Sequence, residues 1–277
     1  MPKARRRKAP IVSLPDVGGS SAPESTRAVI REFHILLKLR AKLQSNPRPD
    51  VKTKAELADL ERQIDALGGL ESYQRMSSIG QGEDRGGGSE KVFIRWLKEL
   101  GVRKQKDSGK QRLLEVGALK PDNYKSCLSW IDPIAIDLRS RHPSIKEQDF
   151  LLMDEAGNRE KWDLISLSLV LNFVPDPKDR GRMLNVAHSM LVSGGYLFLV
   201  LPLPCVANSR YLSFPVMKSL MEAIGFIQLQ EKWRQGGKIV YWLYQKQESQ
   251  KTSFEGFRKK SVLRTGHRNN FAILLNA

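Results

Sequence analysis

The chain has 277 residues, 40% of them hydrophobic, and its 46 Lys and Arg against 30 Asp and Glu give a formal net charge of +16. That length suits one domain of roughly 130–200 residues with extensions, the apolar content excludes wholesale disorder, and the positive excess points to an anionic partner. No apolar run reaches the ~18–20 residues of a membrane helix, no apolar core follows the first basic cluster as a secretory signal requires, and the distant Cys127 and Cys205 exclude a disulfide framework or a Cys-based zinc site. A soluble intracellular protein is expected.

The charge is uneven. Residues 1–23 hold five basic residues and one acid, with Lys3, Arg5, Arg6, Arg7 and Lys8 close together. Such a cluster reads as a nuclear import signal or a nucleic-acid arm. Residues 24–110 hold eighteen and thirteen, residues 111–245 sixteen and fourteen, and residues 246–277 seven and two. The most apolar part of the chain is therefore almost neutral. Four regions follow from this and from the punctuation: a basic disordered tail (1–23), a helical region ending in a Gly-rich linker (24–110), a catalytic-type domain (111–246) and a basic carboxyl tail (247–277).

Helical periodicity begins at Glu24, with Ser25 or Thr26 as cap and Val29, Phe33, Leu36 and Leu37 on one face. Asn46–Asp50 breaks it. A second helix is predicted with Thr53 as cap, Leu57, Leu60, Ile64 and Leu67 on one face, and Gly68-Gly69 at its end. Gly80–Ser89 reads as a loop, and Glu90–Leu100 as an amphipathic helix carrying Phe93, Trp96 and Leu97.

From Arg112 short apolar runs alternate with helices. Strands are predicted at Arg112–Val116, Ile134–Asp137, Ser144–Gln148, Trp162–Leu169 and Tyr196–Leu201, with helices at Asp179–Leu191 and Phe214–Ile224. Two last strands, Phe226–Trp233 and Lys238–Gln245, are joined through Gly236-Gly237. Near-continuous apolar strands separated by helices indicate a parallel sheet covered on both faces. With the closing hairpin, this is the plan of the α/β, Rossmann-like, seven-stranded class I methyltransferase sheet. In the carboxyl tail, Arg258, Lys259, Lys260, Arg264 and Arg268 surround Phe254 and Phe257, a pattern that could follow a phosphate backbone and stack on bases or remain unstructured.

The candidate site gathers at predicted strand ends. Glu115 and Gly117 close the first strand, where nucleotide-type cofactors lie in doubly wound sheets, and Gly117 lets backbone approach such a ligand. Twenty residues on, Asp137 ends the second strand, the position from which a carboxylate accepts both ribose hydroxyls. Asp149 and Phe150 end the third strand and can frame an adenine. A full G-x-G-x-x-G is absent, since Ala118 and Pro121 stand where further glycines are usual. After the fourth strand, Asn172-Phe173-Val174-Pro175 is a variant of the polar–Pro–aromatic loop of methyltransferases that act on base nitrogens. There Asn172 would orient the base edge and Phe173 would stack on it. The four histidines are scattered and show no ligand spacing, so no metal is expected.

The runs LLEVGALKPDNY, IAIDLRSRHPSI, WDLISLSLVLNFVPDPKDRGRML, SGGYLFLVLPLPCVANSRY and GGKIVYWLYQK resemble the fungal 25S ribosomal RNA adenine-N1-methyltransferase family over about Arg112–Lys246. The resemblance implies a nucleolar enzyme of the nucleus that binds S-adenosyl-L-methionine at Gly117 and Asp137. It would modify one adenine of large-subunit ribosomal RNA, free or in a pre-ribosomal particle. Animal relatives resemble an S-adenosylmethionine sensor, which leaves a non-catalytic sensor or scaffold as the alternative.

Overall fold

The computed structural model describes residues 50–69, 88–102, 109–140, 142–247 and 253–276, together with scattered helical positions between 29 and 44. The basic cluster at residues 3–8, the expected caps Ser25 and Thr26, and residues 80–87 of the Gly-rich loop lie outside the described residues.

Helix α1 (Val51–Ala66) is capped by Asp50, three residues ahead of the expected Thr53, because the Asp50 carboxylate accepts the Thr53 backbone N–H at 2.7 Å. Its apolar spacing buries Leu60 and Ile64 against Phe33 and Leu36, a small core of its own. In α2 (Glu90–Glu99) the same periodicity presents Phe93, Trp96 and Leu97 to the sheet. The Phe93 ring stacks on Phe198 with centroids 4.7 Å apart, and Trp96 meets the same ring edge-on at 6.0 Å.

The remaining elements are β1 (Gln111–Val116), β2 (Ile131–Asp137), β3 (Lys146–Glu147), α3 (Glu155–Asn158), β4 (Trp162–Ser168), α4 (Pro177–Met190), β5 (Leu191–Pro202), α5 (Pro204–Ala207), α6 (Phe214–Ile224), β6 (Phe226–Lys232) and β7 (Ile239–Lys246). They build one seven-stranded sheet in the order β3-β2-β1-β4-β5-β7-β6. The first five strands are parallel, and β7 runs antiparallel between β5 and β6. This is the class I methyltransferase sheet that the sequence predicts. Strand order reverses between β1 and β4, so the crevice for a ligand opens beyond their carboxyl ends. One face of the sheet carries Leu113, Leu164, Phe198 and Leu243 under α2. The other carries Leu114, Ile165, Leu197 and Trp242 under α4 and α6.

Some boundaries differ from the expectation. Helix α4 starts at Pro177, with Asp176 as cap accepting the Lys178 N–H at 2.7 Å. It hands over directly to β5 at Leu191, five residues ahead of the predicted strand; the pairing with β4 slips between Trp162 and Leu164 and so absorbs Gly194-Gly195. β3 keeps two residues of the five predicted, and the hairpin turn widens to 233–238.

The larger difference is the carboxyl segment. Residues 253–276 fold back as a strap across the carboxyl edge of the sheet, where an unstructured or base-stacking tail was expected. Phe271, Ile273 and Leu275 are buried in the main core, and Phe254 and Phe257 pack half-buried against it. Those two rings are therefore spent on apolar packing. Arg264 donates to the carbonyls of Val206, Ser209 and Leu212 at 3.0–3.3 Å, satisfying the end of α5 and the turn after it. The Leu274 N–H donates to the Pro177 carbonyl at 2.9 Å.

Gly181 of α4 lies directly beneath this strap, and a Cβ there would overlap the Leu274 carbonyl. Gly181→Ala should cost about 1–3 kcal/mol, the usual range for overpacking. Thermal denaturation reads this as a drop of several degrees in Tm, and proteolysis should cut the strap earlier than in wild type.

Candidate active site

Each expected cofactor residue stands at the carboxyl edge of the sheet, for a local reason. After β1, the Gly117 and Ala118 N–H groups both donate to the Ile136 carbonyl of β2, at 2.8 and 3.1 Å. That turn needs φ of +74° at Gly117. A Cβ at Gly117 would also lie 2.7 Å from Val170 Cγ2. Glycine is therefore required twice, by backbone conformation and by the approach of the loop after β4. Asp137 ends β2 half-buried, with Oδ1 accepting the Arg139 N–H at 2.9 Å. Leu138 beside it is 59% exposed, a large apolar side chain left in solvent.

Among the described residues Glu115 is the carboxylate pushed furthest upward. It is 8% exposed, and burial pushes its carboxyl up to about 7, against the pull of the Asn123 amide, with the charge of Glu90 adding to the rise. Asn123 Nδ2 donates to Glu115 Oε1 at 2.7 Å. Glu115 pairs in register with Ser166 of β4, and Ser166 hydrogen-bonds the buried Tyr124 hydroxyl. Ser168 Oγ lies 2.6 Å from Ser89 Oγ at the start of α2. These groups, with Glu90, Gly117 and Leu119, line a small pocket at the β1–β4 switch point. Two carboxylates and five other polar side chains with no cation among them suit a positively charged ligand group.

The sequence reading did not reach Asn123, Tyr124, Ser166, Ser168, Ser89 or Glu90. A signal existed for two of them: Ser166 and Ser168 are the polar alternation inside the otherwise apolar Trp162–Ser168 strand, two residues apart and so on one face. The others come from the loop after β1 and from the start of α2, whose placement only the fold decides.

At the third strand the two candidates separate. Asp149 accepts the Leu151 N–H at 2.8 Å and so caps a short 3₁₀ turn over Phe150–Leu152. Phe150 is buried in the main core beside Val116 and Ile136. Its ring offers no face to an adenine, because core packing has claimed it; Leu138 and Leu152 are the exposed apolar side chains here instead.

The loop after β4 is held at both ends. Leu169 takes a positive φ of 57°, its N–H donates to the Val200 carbonyl, and the Phe173 N–H closes on the Val170 carbonyl at 2.9 Å. Asn172 and Phe173 are both half-buried. Asn172 Oδ1 is shut off from solvent and has no hydrogen-bond partner, an acceptor left to an incoming N–H. Downstream, the buried Arg180 guanidinium holds the Val174 carbonyl at 2.7 Å and the Pro175 carbonyl at 3.1 Å. Val170 against Gly117 joins this loop to the cofactor turn. The residues thus fit a nucleoside-type cofactor with a cationic tail: a glycine cradle, a carboxylate at the β2 tip and an anionic pocket. Among the described residues no group of three or more His, Cys, Asp or Glu could hold a metal ion.

Residues 58–273 match the family described as 25S rRNA (adenine(2142)-N(1))-methyltransferase, Bmt2. The 25S rRNA adenine-N(1) methyltransferase of Schizosaccharomyces pombe is 36% identical over 264 residues, covering 88% of this chain and 89% of that protein. The 25S rRNA (adenine(2142)-N(1))-methyltransferase of Saccharomyces cerevisiae is 38% identical over 218 residues, 77% of this chain and 62% of its own length. Among solved structures, the N-methyltransferase NodS of Bradyrhizobium japonicum in complex with S-adenosyl-l-homocysteine aligns with a TM-score of 0.39 at 16% identity, over 56% of this chain and 87% of that one. The 1,6-didemethyltoxoflavin-N1-methyltransferase of Burkholderia thailandensis aligns with a TM-score of 0.44 at 14% identity, over 84% of this chain and 94% of that one.

The Glu115 environment sets a pH signature. An unfolded Glu titrates near 4.5 and the folded one at about 7, so the ligand-free protein is favoured by this group below pH 4.5. That contribution, up to about 3 kcal/mol, is lost as pH rises to about 7. Glu115→Gln should therefore raise Tm over wild type at pH 8 and lose that advantage towards pH 5. A variant less stable than wild type at pH 8 would show that the carboxylate is not penalised by burial.

Proposed function

Because the chain belongs to the 25S rRNA (adenine-N1)-methyltransferase family, we propose that it transfers a methyl group from S-adenosyl-L-methionine to N1 of an adenine in large-subunit ribosomal RNA, with Asn172 and Phe173 framing the base. The observation that carries the residue roles is the unpartnered, solvent-shielded Asn172 Oδ1 on a loop that touches the cofactor turn through Val170 and Gly117. Its relatives are named as catalysts, which favours turnover over the sensor alternative.

Asp137 holds the ribose hydroxyls, Gly117 lets the backbone pass close to the cofactor, and Leu138 lies against its adenine. The pocket of Glu115, Glu90 and the serines receives the cationic amino-acid end. When bound, S-adenosyl-L-methionine supplies an electrophilic methyl on sulfur. N1 of neutral adenine bears a lone pair and no proton, so the chain need not supply a general base. Its task is alignment. The Watson–Crick edge must be unpaired or flipped out, at a cost of a few kcal/mol. Asn172 Oδ1 then accepts from the exocyclic amino group, and Phe173 stacks on the ring and fixes its plane. Holding N1 in line with the methyl can account for roughly 7–11 kcal/mol of barrier lowering.

A nucleolar place of action, and a pre-ribosomal particle as the form in which the RNA is met, go with this substrate. Among the described residues no helix is long and apolar enough to cross a membrane.

Two substitutions separate the roles. Asn172→Ala should lower the rate of methyl incorporation into unmodified large-subunit rRNA by roughly 10²-fold or more, with the dissociation constant for S-adenosyl-L-methionine unchanged by calorimetry. Asp137→Ala should weaken that constant about tenfold or more, as loss of charge-assisted hydrogen bonds does. Wild-type turnover in Asn172→Ala removes the amide from the mechanism, and unchanged cofactor affinity in Asp137→Ala removes the ribose contact.

A further inference from the structure

We propose that the folded-back carboxyl strap and the turn after β5 form the RNA-docking rim of the enzyme, a preset basic ledge beside the catalytic loop that grips the phosphodiester backbone. This rests on the RNA methyl-transfer reading and adds where the polyanion is held.

Position comes first. β5 ends at Pro202 on the carboxyl edge of the sheet, where β7 begins antiparallel at Ile239. The turn 233–238 and residues 203–212 therefore share the edge that carries Gly117, Asp137 and Asn172. The strap joins that edge through a parallel bridge of Ser209 with Asn269 and through the Leu263 N–H to the Arg210 carbonyl at 2.8 Å. It then runs to the catalytic loop, where Arg180 spans the Ala272 carbonyl at 2.6 Å and the Val174 carbonyl at 2.7 Å. Val174 is two residues from Asn172. The ledge and the base site are thus consecutive parts of one edge.

Charge is the second observation. No Asp or Glu occurs in residues 203–221, 233–238 or 256–277, so the three segments that meet here are free of acids. Besides Arg264 and Lys218, which lies 3.9 Å from Glu222 along α6, they carry Arg210, Arg234, Lys238, Arg258, Lys259, Lys260 and Arg268. All are exposed except the half-buried Arg210, and none is paired with a carboxylate among the described residues. Arg264 is not part of the ledge, since it is used on carbonyls at the α5 end.

Preorganisation is the third. Arg268 donates to the Asn208 side-chain oxygen at 2.6 Å, Arg210 donates to Asn270 Oδ1 at 3.2 Å and to the Gly266 carbonyl at 3.3 Å, and Lys260 lies 5.6 Å over the Tyr211 ring. Neutral partners fix these side chains and leave their charge uncompensated, so less side-chain entropy is lost on meeting a phosphate. An acidic peptide would be met by the same charge. Cations unpaired with carboxylates along the edge that presents the reacting base suit a strand whose phosphates pass on either side of that base.

The triple variant Arg258→Gln, Lys259→Gln, Lys260→Gln tests this in the full-length protein. The probe is in-vitro-transcribed, unmodified 25S rRNA, bound across a salt series, with methyl incorporation followed in parallel. The expected result is about tenfold or more weaker RNA binding at 0.1 M salt and a slope of log K against log salt flatter by about 2–3. KM for RNA should rise, kcat at saturating RNA should persist, and Tm and S-adenosyl-L-methionine affinity should stay at wild-type values. An unchanged RNA affinity and slope overturns the proposal. So does intact RNA binding combined with lost association with pre-ribosomal particles, which would assign the ledge to a protein. Loss of kcat with unchanged RNA affinity overturns it as well. If wild type itself transfers no methyl to rRNA, the proposed reaction fails, while the affinity comparison still reads the ledge by itself.

Discussion

One buried cation ties the loop after β4, the start of α4 and the carboxyl strap together. Arg180 is 2% exposed and burial lowers its guanidinium to about 10, with the fields of Cys205 and Asp176 acting in the other direction; it stays protonated at neutral pH. No carboxylate contacts it among the described residues. Instead it donates to the carbonyls of Val174, Pro175 and Ala272 and lies 4.3 Å over the Phe271 ring. A guanidinium taken from water is costly unless its donors are satisfied, and here three carbonyls and a π face satisfy them. Those carbonyls belong to the base loop and the strap, and the arginine itself to the first turns of α4. None of the three can move without leaving a buried charge unsatisfied.

A second contact carries that constraint to the cofactor. Val170, two residues ahead of Asn172, occupies the space a Cβ would take at Gly117, so the base loop and the cofactor turn are positioned against each other. Beneath them, Glu115 is buried beside Asn123, and that burial holds its carboxyl up at about 7.

The net charge of +16 acquires a geometry from the same strap. The domain that carries the chemistry is close to neutral, and the excess sits in its extensions. By burying Phe271, Ile273 and Leu275, the last segment brings its cations onto the carboxyl edge of the sheet. Apolar burial fixes the segment; the charge it displays is then a matter of position.

The sheet, its order of helices and the placement of Gly117 and Asp137 at the strand ends were legible in the sequence, because buried parallel strands write continuous apolar runs and strand ends write glycines and carboxylates. Glu115 was legible as a position, but its burial and its neighbours Asn123 and Tyr124 were not, since loop residues converge only once the sheet aligns their anchors. Phe150 and the strap show the limit from the other side. An aromatic residue at a strand end reads equally as a ligand platform or as core, and a basic tail with interleaved apolar residues reads equally as an arm or as a cover. The sequence by itself determined the composition of each segment and the periodicity that makes strands and helices. Only the tertiary structure decided which aromatic rings went into the core and which cations stayed in water, because that choice depends on the apolar surface that α4 and β5 leave uncovered, a property no local stretch of chain contains.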